Sequence, residues 1–126
     1  MPRFADLVKD TTTTTGTGAI TLANSPPTGY VSFATAFGAT TTINVAYVIR
    51  GVDGSGNPTA EWEVGKGTFN GTTGLTRDYI RSSSNAGALV NFSAGTKNVY
   101  CSPSAEHIDN GNIGLIIAQL RGWAMP

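Results

Sequence analysis

Glu61 and Glu63, two residues apart in Glu61-Trp62-Glu63-Val64, are the side chains whose types and spacing come nearest to chemistry. Two carboxylates on one strand face can share the work of glycoside hydrolysis, one as acid and one as nucleophile or base. That requires a cleft between them and an environment that shifts one of the pKa values. Nothing adjacent supplies either condition, and a solvated outer face is the plainer reading. Arg77-Asp78 could pair across a hairpin with Glu61 or Glu63, fixing the register at a gain of roughly 0.2 to 1 kcal/mol. Cys101 and His107 are each the single residue of their kind, with Asp109 just beyond. A thiol and its base must meet, and a strand end and its following loop give these two no reason to do so. Zinc needs three or four ligands, so His107 could take part in a metal site only if copies converged on a symmetry axis. Gly16-Thr17-Gly18 lacks the Gly-Lys-Ser/Thr ending of a phosphate loop. The residues therefore read as carrying no catalytic, cofactor-binding or metal set, and the chain as a non-enzyme.

The elements that position these side chains read as strands. The period of two around Glu61 to Val64 places Trp62 and Val64 on one face and both acids on the other. Trp62 is accordingly the expected core anchor. Asn70-Gly71, with Gly74 close behind, marks a turn that needs positive φ, after which residues 75–80 return as the second arm of a hairpin. Residues 43–52 alternate most clearly, with Ile43, Val45, Tyr47 and Ile49 on one face, and read as a central strand. Further strands are expected over residues 19–22, 30–33, 89–92 and 98–101, separated by Gly-, Pro- and Ser-rich turns. The run Thr11 to Thr15 is β-branched and poor in helix, and reads as an extended edge. Only at the end does a helical spacing occur. There Ile113, Ile116, Ile117 and Leu120 form one apolar stripe with Trp123 beyond it.

Turn signals at this spacing in a 126-residue chain predict an all-β fold, a small antiparallel β-sandwich or barrel with a short C-terminal helix or extended tail. Three regions follow: an N-terminal arm over residues 1–10, a β-rich domain over 11–108, and a docking tail over 109–126. Charged residues make up only 13% of the chain, and eight bases balance eight acids. That balance gives no electrostatic case for nucleic acid or an anionic membrane surface. Such a surface also lacks the charge that holds monomers apart, which favours life in an assembly. One Cys excludes an internal disulfide framework. The N-terminal residues lack the apolar core of a secretory signal, so a soluble protein made in a reducing cytosol is expected.

Four blocks of the chain, VKDTTTTTGTGAITLA (8–23), WEVGKGTF (62–69), LTRDYIRSSSNAG (75–87) and VNFSAGTKNVYCSPSAEHI (90–108), resemble a module of tailed-bacteriophage virion proteins. That module is found at the N-terminus of tail fibres and of related tail or head appendages. The resemblance implies a compact β-rich attachment domain, membership of a homo-oligomer, commonly a trimer, and location in the virion after assembly in a bacterial cytoplasm. Fibres continue into a shaft and a receptor-binding tip, whereas only 18 residues follow Ile108 here. A tail or fibre-attachment adaptor is the reading that fits, with Ile113, Ile116, Ile117, Leu120 and Trp123 as candidate interface residues and other virion proteins as partners. A capsid decoration protein or head-fibre base is the alternative. From another class comes a carbohydrate-binding module, for which Tyr30, Tyr47, Tyr79 and Trp123 are the candidate aromatics.

Overall fold

The computed structural model describes residues 3–38 and 42–102. Seven strands make one antiparallel sheet: β1 (Lys9–Thr12), β2 (Ile20–Thr21), β3 (Ile43–Val52), β4 (Pro58–Phe69), β5 (Gly74–Leu75), β6 (Tyr79–Ser83) and β7 (Lys97–Tyr100). They run in the order β1-β7-β3-β4-β5-β2, with β6 also on β4, and the sheet curls into a half-barrel. The all-β expectation holds, and β3 is central as its alternation predicts.

Register explains which face is the core. Asp10, Val99, Ile49, Glu63 and Ser83 lie side by side across five strands, and all are buried. The adjacent row, Lys9, Tyr100, Val48, Val64 and Ser82, faces outward and is half-buried throughout. Side chains paired across a ladder share a face, so β3 decides for β4. Ile49, inward, sits opposite Glu63, whereas Arg50, outward, sits opposite Trp62. Trp62 is therefore not the core anchor. It is half-buried on the outer face, while Phe33, Tyr47, Phe69 and Phe92 fill the core with Ile20, Leu22, Ile49 and Val99. Alternation correctly tells which residues of β4 share a face; it does not tell which face is wet.

The hairpin of β4 with β5 and β6 forms around an Asn70 side chain that accepts hydrogen bonds from the backbone N–H of Thr72 and Gly74, both 2.9 Å, with Gly71 at φ 92°. This is the side-chain-closed turn that Asn favours. On the return, the regular ladder register is interrupted between Leu75 and Tyr79, where the Thr76 and Asp78 N–H groups still donate to the Thr68 and Lys66 carbonyls at 2.9 and 3.1 Å, and Arg77 lies between them.

Two expected strands take other forms. After Val31 bridges Val8, the chain turns into a short helix, α1 (Phe33–Phe37), rather than extending through Phe33. Ser32 caps it by accepting from the Thr35 N–H at 3.1 Å. Phe33 and Phe37, four apart on one helical face, both turn inward, with the Phe33 ring 5.7 Å from that of Phe69. Gly38 ends the helix at φ 88°. Residues 89–92 form no ladder strand; Phe92 and Gly16 exchange backbone hydrogen bonds of 2.9 and 3.2 Å in an isolated bridge.

The expected arm over residues 1–10 is part of the sheet where it is described. Val8 is in the core, β1 pairs with β7, and Arg3 bridges Val45, so a boundary at residue 10 cuts through a strand. The threonine run continues from β1, as an extended edge should, and its hydroxyls meet the opposite end of the sheet. Thr12 Oγ1 donates to the Thr21 carbonyl at 2.6 Å, and Thr14 Oγ1 accepts from the Thr21 N–H at 3.0 Å. One backbone bond, Ala23 N–H to the Thr11 carbonyl at 2.8 Å, joins them. Side-chain hydroxyls thus replace a ladder along the seam between β1 and β2.

Candidate functional site

The densest constellation of chemical groups lies inside the half-barrel, around Glu63 and Arg77. Its niche begins with two glycines on the inward face of β4. A Cβ at Gly65 would collide with the Tyr79 carbonyl and press to 3.0 Å of the Tyr47 hydroxyl; one at Gly67 would strike the Thr76 carbonyl. Without side chains at those positions the Tyr47 ring fits beneath β4, and its hydroxyl donates to Glu63 Oε2 at 2.9 Å. Burial, and then the Glu63 carboxylate beside it, push the Tyr47 hydroxyl pKa far above the ordinary phenol value of 10.0.

Arg77 enters from the break between β5 and β6. All of its N–H donors are taken: Nε to Glu63 Oε2 at 2.8 Å, Nη2 to Glu63 Oε1 and to the Val90 carbonyl at 2.6 Å each, and Nη1 to the Gly16 and Gly18 carbonyls at 3.2 Å. The Phe92 ring lies 5.2 Å from the guanidinium carbon. Glu63 is equally committed, since Oε1 also accepts from the Val90 N–H at 2.9 Å. Both side chains are out of water, at 1% and 0% exposure for Arg77 and Glu63. A buried ion pair offsets its desolvation cost only when the geometry is good and the remaining lone pairs and protons are satisfied, and here they are.

The expected cross-hairpin pair therefore exists between Arg77 and Glu63, but in the core rather than on a solvated face. Glu61 and Glu63 do not form a catalytic pair across a cleft. Glu63 has no lone pair to spare, and Glu61 accepts from the Ser93 N–H and hydroxyl at 3.0 and 2.8 Å. Asp78 accepts from the Thr68 and Thr76 hydroxyls at 2.6 and 2.7 Å. Sequence reasoning missed the clamp, although one signal was present: Glu63, Gly65, Gly67 and Phe69 share parity, and Phe69 must face inward.

Lys97, like Asp10, is a further buried charged residue that the sequence did not flag. It lies on β7 facing in, with Nζ 3.0 Å from the Thr14 carbonyl. Burial lowers its pKa, partly opposed by Glu61. Cys101 is half-buried against the core, and burial raises its thiol pKa, the opposite of an activated thiolate. No group of three or more His, Cys, Asp or Glu among the described residues could hold a metal. No helix of the described residues is long and apolar enough to cross a membrane.

The outer face carries a different kind of site. A groove of about 320 Å³ runs between Leu7, Tyr30, Val48, Tyr100, Cys101 and Ser102. Lys9 reaches over both tyrosines at its side, its Nζ 4.9 Å from the Tyr30 ring and 5.4 Å from that of Tyr100. Of the aromatics expected to meet a glycan, Tyr30 and Tyr79 are exposed, whereas Tyr47 is fully buried. Ile113, Ile116, Ile117, Leu120 and Trp123, like His107, lie outside the described residues. Comparison with known proteins gives no match: no family model, curated protein or solved structure is significantly similar to this chain.

Proposed function

We propose that this chain is a bacteriophage virion structural protein, a tail or fibre-attachment adaptor that assembles as a homo-oligomer through its edges and terminal segments. One observation supports the reading above others. The four sequence blocks that resemble the virion module meet in the Glu63–Arg77 clamp. The first supplies the Gly16 and Gly18 carbonyls, the second Glu63, the third Arg77, and the fourth the Val90 backbone and the Phe92 ring. The wording that carries the resemblance is thus the wording that closes the half-barrel, which is what a reusable attachment module needs. Its action is mechanical: a rigid, internally crossed-braced core presents strand edges and hydroxyl-rich loops to neighbours.

The test is mass spectrometry of purified phage particles from the strain that encodes the chain, together with light scattering of the isolated protein. Presence in the particle at a copy number matching the tail, and a trimer in solution, are the expected results. A copy number tied to the capsid lattice would move the assignment to decoration protein. Absence from particles would overturn it.

A further inference from the structure

We propose that residues 13–15 form a flap that opens on its own over the buried Lys97 ammonium, swinging about Gly16 while the rest of the sheet stays folded. The segment leaves β1 at the seam where hydroxyls replace a ladder. Thr13 and Thr15 are exposed, Thr14 is half-buried, and none of the three belongs to the hydrophobic core. Thr14 is held by polar contacts. Its N–H donates to Thr12 Oγ1 at 3.1 Å, its Oγ1 accepts from the Thr21 N–H at 3.0 Å, and its carbonyl accepts from Lys97 Nζ at 3.0 Å. Beyond it the chain is fixed again: Gly16 exchanges backbone hydrogen bonds with Phe92 and, like Gly18, gives its carbonyl to Arg77. Gly16 has a φ of 86°, and a Cβ there would meet nothing within 4 Å, so the pivot is a glycine in open space.

Packing leaves room for the motion. A groove of about 280 Å³ follows the segment between Thr11, Thr14, Thr21 and Thr96. A second, of about 270 Å³, is lined by Gly51, Glu61, Ser93, Thr96 and Lys97. The hydrogen bond from Lys97 to Thr14 thus joins a wall of one groove to a wall of the other. Charge favours the open form. Lys97 is 1% exposed, and burial penalises its ammonium, with Glu61 only partly compensating. Lifting Thr14 returns that ammonium to water and relieves the penalty. A segment with no apolar anchor, whose main ionic contact gains by solvation, is the kind that opens locally well below the free energy of global unfolding. Opened, the flap turns a shielded lysine into an accessible primary amine, the group that acylating and carbonyl reagents attack. The inference goes beyond the virion reading and does not depend on it.

The lysines of the chain are Lys9, Lys66 and Lys97, so acetylation at each is separated by peptide mass spectrometry. The full folded chain is treated with an acetylating reagent in mildly alkaline buffer, and each rate is referred to that of the same lysine in the urea-unfolded chain. Lys97 should react, but at least about tenfold more slowly than in the unfolded chain. Its rate should stay flat in low urea, because a local opening exposes little surface. Thr14→Val keeps the shape but removes the hydroxyl that accepts from Thr21. It should speed Lys97 acetylation about fivefold, the worth of one hydrogen bond, with Lys9 and Lys66 unchanged. A Lys97 rate equal to that of the unfolded chain would mean that nothing covers the amine. A rate that climbs with urea as global unfolding does, or no reaction at all, would mean that no separate flap opens. Each of these overturns the proposal, as does an unchanged rate in a folded Thr14→Val variant; the urea dependence needs only the native chain.

Discussion

Arg77 meets Glu63 side-on, Nη2 to Oε1 at 2.6 Å and Nε to Oε2 at 2.8 Å, and so fastens the interrupted return of the hairpin to the middle of β4. The same guanidinium holds the carbonyls of Gly16, Gly18 and Val90. Loops that share no ladder strand are thus tied to one point. Removing one partner of such a pair leaves a buried charge unmatched, a loss of about 3 to 5 kcal/mol. Arg77→Ala should therefore fall by that amount in urea unfolding, a large part of the 5 to 15 kcal/mol typical of a domain. Arg77→Lys should recover less than half of it, because an ammonium cannot span five acceptors. A loss under about 1 kcal/mol for Arg77→Ala would mean that the clamp is ornamental.

Legibility of the fold divided along physical lines. Ile43 to Ile49, the Asn70-Gly71 turn and the edge character of Thr11 and Thr12 were readable because each follows from local chemistry: alternation, positive φ, β-branching. The inward turn of Glu63 was not, because composition argues that acids face water and only register with Ile49 overrules it. Helix α1 is illegible for a related reason. Five residues are too few for a period, yet Ser32, the Phe33/Phe37 pair and Gly38 are a cap, a face and a stop. Arg77 reads as a partner for glutamate, but its reach to Gly16 joins residues 61 apart in sequence, and local pattern has no hold on such distances.

Tyr47 should make stability fall in alkali. Its folded-state pKa is raised, so the hydroxyl stays protonated in the folded chain after the unfolded chain has begun to ionise near pH 10. The stabilisation is fully present below that value and declines as pH rises above it. Lys97 acts in the opposite sense, since its depressed pKa makes stability rise with pH toward its unfolded value of 10.5. The Tyr47 contribution is isolated by comparison with Tyr47→Phe. Unfolding free energies measured from pH 8 to 11 should converge between the two proteins above about pH 10; parallel curves would contradict the assignment.

Gly65 tests whether the niche over Tyr47 is as tight as the geometry states. A methyl group there meets the Tyr79 carbonyl, which belongs to the β6 backbone and has no rotamer by which to retreat. Overpacking of this kind costs about 1 to 3 kcal/mol. Gly65→Ala should lower the unfolding midpoint accordingly, and amide exchange of β6 should quicken more than that of β7. The opposite control is Gly54, where an added Cβ meets nothing within 4 Å and Gly54→Ala should be nearly silent.

Trp62 and Phe69, seven residues apart on one strand, should respond very differently to truncation. Phe69 has no exposure and packs on Phe33, so Phe69→Ala should cost about 3 to 5 kcal/mol. Trp62 lies outward opposite Arg50, and its backbone is tied to Ser84: its N–H donates to Ser84 Oγ at 3.1 Å and its carbonyl accepts from the Ser84 N–H at 3.0 Å. Trp62→Ala keeps both, and should cost under about 2 kcal/mol, the share of a partly exposed apolar side chain. Equal losses would restore Trp62 to the core and reverse the face of β4. Thermal and urea unfolding of the two variants side by side decides between the two orientations.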